Sequence, residues 1–280
     1  MAATAKTYYD MALAWWEQGD LDVAITGFTQ AISLDPHYLE AYLNRGSAHF
    51  GNGDYIGAIT DYSTSLQLNP PANLLPWIHY VRGNAYHHLG HLDIAIEDYN
   101  EALRLYPVYP DVLRDRARAR ADCGDLDGAI ADLTQLLRYS PDDANAYNER
   151  GNLLADRGDL DAAIADYSEA IRINPDDDYA LYNRALAFTG RGDFQDSIAD
   201  FSRVIQLIPD FALAYNNRGL AYHYLGNLQA AIADYSEAVR LDPRFGLAYR
   251  NRAVARERIG DVQGAVADYQ KCVELQEYIW

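Results

Sequence analysis

The sequence predicts an all-α protein, a solenoid made by stacking one helix-turn-helix unit eight times. Three observations predict it. A pattern recurs every 34 residues, most cleanly over residues 212–245, ALAYNNRGLAYHYLGNLQAAIADYSEAVRLDPRF. Within that unit, apolar and small residues fall at helical spacing in two runs, broken at Gly226 and stopped at Pro243. The 280 residues then divide into such units with almost nothing left over. Numbering the unit from 1 to 34 puts Tyr215 at position 4, Gly219 at 8, Tyr222 at 11, Gly226 at 15, Ala231 at 20, Tyr235 at 24, Ala238 at 27 and Pro243 at 32.

Taken in order, residues 1–4 lead into units 5–38 and 39–72. Asn73, Leu74 and Leu75 are then inserted, and units 76–109, 110–143, 144–177, 178–211, 212–245 and 246–279 follow without a gap. Eight units predict sixteen helices in a single array spanning 5–279, since a solenoid has no central core and each unit packs only on its neighbours. Position 15 is glycine, which takes φ > 0 to stop the first helix, and position 16 is Asp in six units (Asp20, Asp54, Asp125, Asp159, Asp193 and Asp261), placed to cap the second. Small residues at positions 20 and 27, such as Ala24 and Ala31, let the two helices of a pair approach closely, while aromatics at 4, 11 and 24 fill the space between pairs. Departures include Ser65 and Leu136 at position 27 and Arg120 at position 11, and the fourth unit is the least regular.

This spacing of aromatic, small and proline positions resembles the tetratricopeptide repeat, a helix-turn-helix unit of 34 residues. The resemblance implies a right-handed superhelix in which the first helix of each pair lines a concave groove, with positions 2, 5, 6, 9, 12 and 13 facing a bound partner. One feature departs from the family's commonest pattern. Position 7, usually leucine, is arginine in units two to eight: Arg45, Arg82, Arg116, Arg150, Arg184, Arg218 and Arg252. Position 23 is Asp in the same seven units: Asp61, Asp98, Asp132, Asp166, Asp200, Asp234 and Asp268. A matched series of opposite charges at packed positions predicts a ladder of Arg–Asp pairs, within or between units, rather than an anion-binding stripe.

Binding residues are sought where the unit does not need them. Trp77 and Tyr80 stand at groove positions of the third unit, where aromatics grip apolar side chains. Asn44, Asn183, Asn217 and Asn251 occupy position 6, with Asn148 and Asn216 at position 5 and Asn84 and Asn152 at position 9. A side-chain amide both donates and accepts, so a spaced row of them holds the backbone of an extended peptide whatever its sequence. The row at position 6 resembles the asparagine ladder of the O-linked N-acetylglucosamine transferase superhelix and of importin-α. The alternative stays open that Asn-Arg-Gly is simply the helix sequence of this subfamily. In the fourth unit Arg114 and Arg118 lie four apart on one helix face, placed to read an acidic group, or to be neutralised by Asp111, Asp115 and Asp122. The lysine clamp of the family's chaperone-binding members is absent, because Lys6 and Lys271 are the only lysines.

Composition narrows the function further. The formal net charge is −18, and thirteen of the 41 acidic residues are the Asp of positions 16 and 23. That balance argues against nucleic acid as a partner, whose binding is driven by basic charge releasing counterions. There is no apolar run of membrane-spanning length and no signal peptide, so a cytoplasmic protein is expected. Cys123 and Cys272 are far apart and read as free thiols. His87, His88 and His91 straddle the break at Gly90 and make no metal site, and no phosphate loop, nucleophile elbow or HExxH motif is present, so neither cofactor nor catalysis is expected. The expectation is a scaffold that captures an extended segment or short helix of a protein partner in its groove. Two alternatives are head-to-tail self-association through uncapped ends and a regulatory segment of a larger protein. At the C-terminal end, Tyr278, Ile279 and Trp280 either fold over the last unit or leave it to meet another molecule.

Overall fold

The computed structural model describes residues 3–277. Among them are sixteen α-helices and no strand. In the first compact unit, which ends at Pro141, these are α1 (Ala5–Glu17), α2 (Leu21–Leu34), α3 (Leu39–Gly51), α4 (Tyr55–Gln67), α5 (Leu75–His88), α6 (Leu92–Leu105), α7 (Pro110–Asp122) and α8 (Leu126–Tyr139). In the second, which begins at Asp142, they are α9 (Ala144–Asp156), α10 (Leu160–Ile173), α11 (Asp178–Arg191), α12 (Phe194–Leu207), α13 (Ala212–Tyr224), α14 (Leu228–Leu241), α15 (Gly246–Arg258) and α16 (Val262–Glu277). Each compact unit thus holds four helix pairs. Within each, the two helices of a pair pack together, and the second helix packs on the first helix of the next pair. Tyr278, Ile279 and Trp280 lie outside the described residues.

The turn inside every pair is the same object. All eight position-15 glycines have positive φ, from 76° at Gly90 to 94° at Gly192. This left-handed residue lets the position-16 N–H reach back to the position-11 carbonyl, as from Asn227 to Tyr222 at 2.9 Å and from Asp54 to His49 at 2.9 Å. Only some of the expected Asp caps form. Asp54, Asp125 and Asp261 accept from the N–H of Gly57, Gly128 and Gly264, whereas Asp20, Asp159 and Asp193 make no side-chain cap bond. Where the cap forms, the third residue of the helix is glycine, and a Cβ there would lie 2.1–2.3 Å from the capping carboxylate. The inserted segment is also shorter than expected, because Leu75 joins α5, with Pro76 in its first turn, and Leu74 packs on the core around Leu43, Tyr62 and Ile78.

The core is a row of small-on-large contacts. Tyr62, Tyr99, Tyr167 and Tyr235 at position 24 lie over Gly46, Gly83, Gly151 and Gly219 at position 8, and a Cβ on any of these glycines would sit 2.7–2.9 Å from the ring. Where position 24 is Phe28, Leu133 or Phe201, position 8 is alanine. The Arg–Asp ladder is real and lies within each repeat. Arg218 donates from Nε and Nη2 to Asp234 at 2.8 and 2.7 Å, and the same two-pronged pair joins Arg45 to Asp61, Arg82 to Asp98, Arg116 to Asp132, Arg150 to Asp166, Arg184 to Asp200 and Arg252 to Asp268. The carboxylates are 2–7% exposed. The remaining nitrogen ties the repeat to its predecessor, as from Arg218 to Ser202 at 3.1 Å, Arg184 to Ser168 at 3.0 Å and Arg45 to Thr29 at 2.9 Å. Arg120, the irregularity of the fourth repeat, adds a further donor to Asp132 at 2.8 Å, and Arg256 does the same to Asp268.

Candidate functional site

Within each compact unit, the first helices of successive pairs share one face, made by positions 5, 6, 9, 12 and 13. On it, position 6 of one repeat bonds to position 5 of the repeat before. Asn44 donates to the Tyr9 hydroxyl at 2.7 Å, Asn217 to the Tyr182 hydroxyl at 2.9 Å and Asn251 to Asn216 Oδ1 at 2.9 Å, while the Tyr80 hydroxyl donates to Asp115 at 2.8 Å. Asn183 turns instead to position 9, donating to Asn152 at 3.0 Å. The same Asn152 oxygen accepts from the Tyr167 hydroxyl at 2.8 Å, and Asn84 accepts from Tyr99 at 2.7 Å. The asparagines are therefore first of all internal rungs. Asn148 and Asn216 are 7% and 1% exposed, and Asn148 donates to the helix-capping Asp177 at 2.9 Å, so neither presents its amide to a partner. Asn84, Asn152, Asn183, Asn217 and Asn251 stay partly exposed.

In the first unit the face opens into a hollow of about 420 Å³ between α5 and α7, lined by Asn84, His87, His88, Asp115 and Arg118. His87 Nε2 lies 2.8 Å from Asp122 Oδ2, and His88 stacks on Tyr55 with ring centroids 4.7 Å apart and planes 6° from parallel. Arg118 is exposed, with Nη1 3.3 Å from Asp115. Burial, and then the charge of Asp115, pushes the Tyr80 phenol above its ordinary range, so it remains a neutral donor. Trp77 is only half available. Its ring meets Tyr62 edge-on at 6.2 Å and packs on the same core as Leu74, so part of its expected role is structural. Arg114 is partly buried on α7.

The second unit has an apolar hollow of about 220 Å³ lined by Asp178, Tyr179, Tyr182, Asn183, Ile208 and Phe211. Tyr179 is 64% exposed at its rim. Sequence reasoning missed Tyr179 and Tyr182; the signal available was their place at positions 2 and 5, on the face already singled out. His87 and His88 stand at positions 12 and 13 of the same face. No helix among the described residues is long and apolar enough to cross a membrane. Among those residues, no group of three or more His, Cys, Asp or Glu is arranged to hold a metal ion.

Sequence profiles described as tetratricopeptide repeat match residues 9–73 and 114–178, and 76–109 and 212–245, with a TPR repeat profile over 187–226. Tetratricopeptide repeat protein 13 of Homo sapiens is 32% identical over 101 residues, which is 36% of this chain and 11% of that protein. Among solved structures, the C-terminal part of a TPR repeat-containing protein from Cytophaga hutchinsonii superposes with a TM-score of 0.76 at 17% identity, covering 87% of this chain and 98% of its own. A tetratricopeptide repeat protein from Parabacteroides merdae gives 0.64 at 21%, covering 85% and 93%. A MamA structure gives 0.57 at 26%, covering 58% and 95%.

Proposed function

We propose that this chain, which belongs to the tetratricopeptide repeat family, is a protein-binding scaffold that holds an extended segment of a partner against the shared face of its first helices. The observation that carries the reading is the hollow between α5 and α7. Its lining residues stand at positions that vary from repeat to repeat, and two of them, His88 and Arg118, are exposed. Tyr80 and the outward part of Trp77 supply apolar grip beside it, and Arg114 and Arg118 supply positive charge on an otherwise acidic molecule. Asn84, Asn152, Asn183, Asn217 and Asn251 each keep unused amide capacity for backbone contacts, since a side-chain amide offers two donors and an acceptor. The test is affinity capture from lysate of the source organism, comparing the wild type with His87→Ala/Arg118→Glu. A partner retained by the wild type and lost by the folded variant supports the reading. Equal capture by both moves binding off this face.

A second reading has its own observation. On α16, Val262, Val266 and Val273 are 64%, 50% and 55% exposed, and the last two border a hollow of about 470 Å³ with Tyr269, Gln270 and Glu274. In the seventh repeat, Val239, at the same position as Val273, is 8% exposed against α15. A face that a further repeat would cover favours end-to-end association of chains. Light scattering across a concentration series separates the readings, because stacking grows with concentration and partner capture does not require it.

A further inference from the structure

The two compact units copy one another repeat for repeat. Gly51 and Gly190 occupy position 13 of the second and sixth repeats, and a Cβ on them would lie 3.3 and 3.2 Å from Leu21 and Leu160. Tyr55 and Phe194 at position 17 stack on His88 and Tyr224 of the following repeat, with centroids 4.7 and 5.0 Å apart. His87 and His223 share position 12 of the third and seventh repeats. Arg120 and Arg256 of the fourth and eighth repeats each reach the ladder aspartate at 2.8 Å and the carbonyl of Gly128 or Gly264. Helices α13 and α15 therefore correspond to α5 and α7.

At the corresponding positions of α15 both acidic residues are gone. Asp115 and Asp122 of α7, which engage Tyr80, Arg118 and His87, are matched by Asn251 and Arg258 of α15. Every other arginine of the second unit has a carboxylate within 4 Å; Arg244, Arg250 and Arg258 have none among the described residues. Arg250 and Arg258 are exposed at positions 5 and 13 of one helix, with Val254 midway between them. Residues four apart share a helix face, so the three form a stripe, cationic at both ends and apolar at the centre. Burial first, and then the charge of Arg258, holds His223 below its ordinary value. Tyr224 at its side is 60% exposed.

We propose that this stripe on α15 binds an acidic segment of a partner protein, its carboxylates held by Arg250 and Arg258 and an apolar side chain seated on Val254. The inference rests on the reading of the first-helix face as a partner surface. Eight helical residues rise about 12 Å. An extended chain advances about 3.3 Å per residue and returns a side chain to the same side every second residue. The matching ligand therefore carries acidic, apolar and acidic residues at i, i+2 and i+4. Both arginines suit the ligand, since a guanidinium meets a carboxylate with two parallel donors.

The experiment is selection of a phage-displayed library of random peptides on the full chain, repeated on Arg250→Glu/Arg258→Glu. Both substitutions are on exposed side chains, and circular dichroism verifies that the variant is folded. The expected result is at least tenfold enrichment of paired acidic residues four apart on the wild type and its loss on the variant. Peptides enriched without acidic pairs, or with the same pairs on both proteins, overturn the inference and leave the scaffold reading intact. No enrichment on the wild type overturns both.

Discussion

Replacing Arg218 by methionine tests whether the ladder holds the array together. In the wild type Arg218 grips Asp234 through two bonds of 2.8 and 2.7 Å, bonds Ser202 of the preceding repeat and lies over the Tyr215 ring at 5.5 Å. Asp234 is 6% exposed, so methionine leaves a buried carboxylate without its counter-ion. Removing one partner of a buried pair costs about 3–5 kcal/mol, whereas an exposed pair contributes about 0–1 kcal/mol. The expected loss is the former. It shrinks as pH falls, because an unpaired buried carboxylate takes up a proton more readily. Urea unfolding followed by circular dichroism gives the overall effect. Hydrogen exchange at α12, α13 and α14 locates it, which matters because arrays need not unfold in one step. Arg218→Met/Asp234→Leu removes both charges and should recover most of the loss. A single-variant loss below about 1 kcal/mol, or a double variant no better than the single, would refute the reasoning.

Gly83→Ala puts a Cβ 2.9 Å from the Tyr99 ring. The overpacking of about 1–3 kcal/mol outweighs the roughly 1 kcal/mol gained in helix propensity, so the urea midpoint falls; a rise would mean the ring is free to move. The Tyr235 hydroxyl is buried without a partner because Leu220 stands where Asn84 and Asn152 serve Tyr99 and Tyr167. Tyr235→Phe is accordingly neutral or stabilising while Tyr167→Phe costs about 0.5–1.5 kcal/mol, and equal effects in a paired melt would contradict the difference. For Asp98, burial pushes the carboxyl up, but donation by Arg82 and His79 outweighs it and holds the group below its ordinary 3.8. Its contribution to stability is thus fully present above that value and lost as pH falls below it. An acid titration of unfolding free energy should be shallower below pH 3.8 in Asp98→Asn than in the wild type.

The repeat register, the left-handed glycines and the Arg–Asp ladder were legible because each recurs at a fixed offset, and a recurring pair of opposite charges has few structural explanations. The rungs between position 6 and position 5 were not. Tyr9, Asp115 and Asn216 share no residue type, and the partner lies 35 residues away on a helix whose adjacency only the fold provides. The sequence showed one half of each bond, so the asparagines' role as internal rungs was not legible. Asn148 shows the same difficulty in another form, since its partner Asp177 belongs to a cap rather than to the repeat pattern. The end of the insertion was misplaced for a simpler reason. Pro76 marks a helix start, yet proline is tolerated throughout the first turn, which allowed α5 to begin one residue earlier at Leu75.

The ladder also governs how quickly anything reaches this molecule. Seven of its 23 basic residues are locked with seven of its 41 acidic ones inside neutral pairs, so the net charge of −18 is carried wholly by the residues outside the ladder. A cationic partner is drawn in from a distance, and its association slows as salt screens the field. An anionic partner is repelled once it comes within a Debye length, about 8–10 Å at physiological salt, and its association quickens as salt is added. The sign of that salt dependence reports the charge of whatever the scaffold meets first.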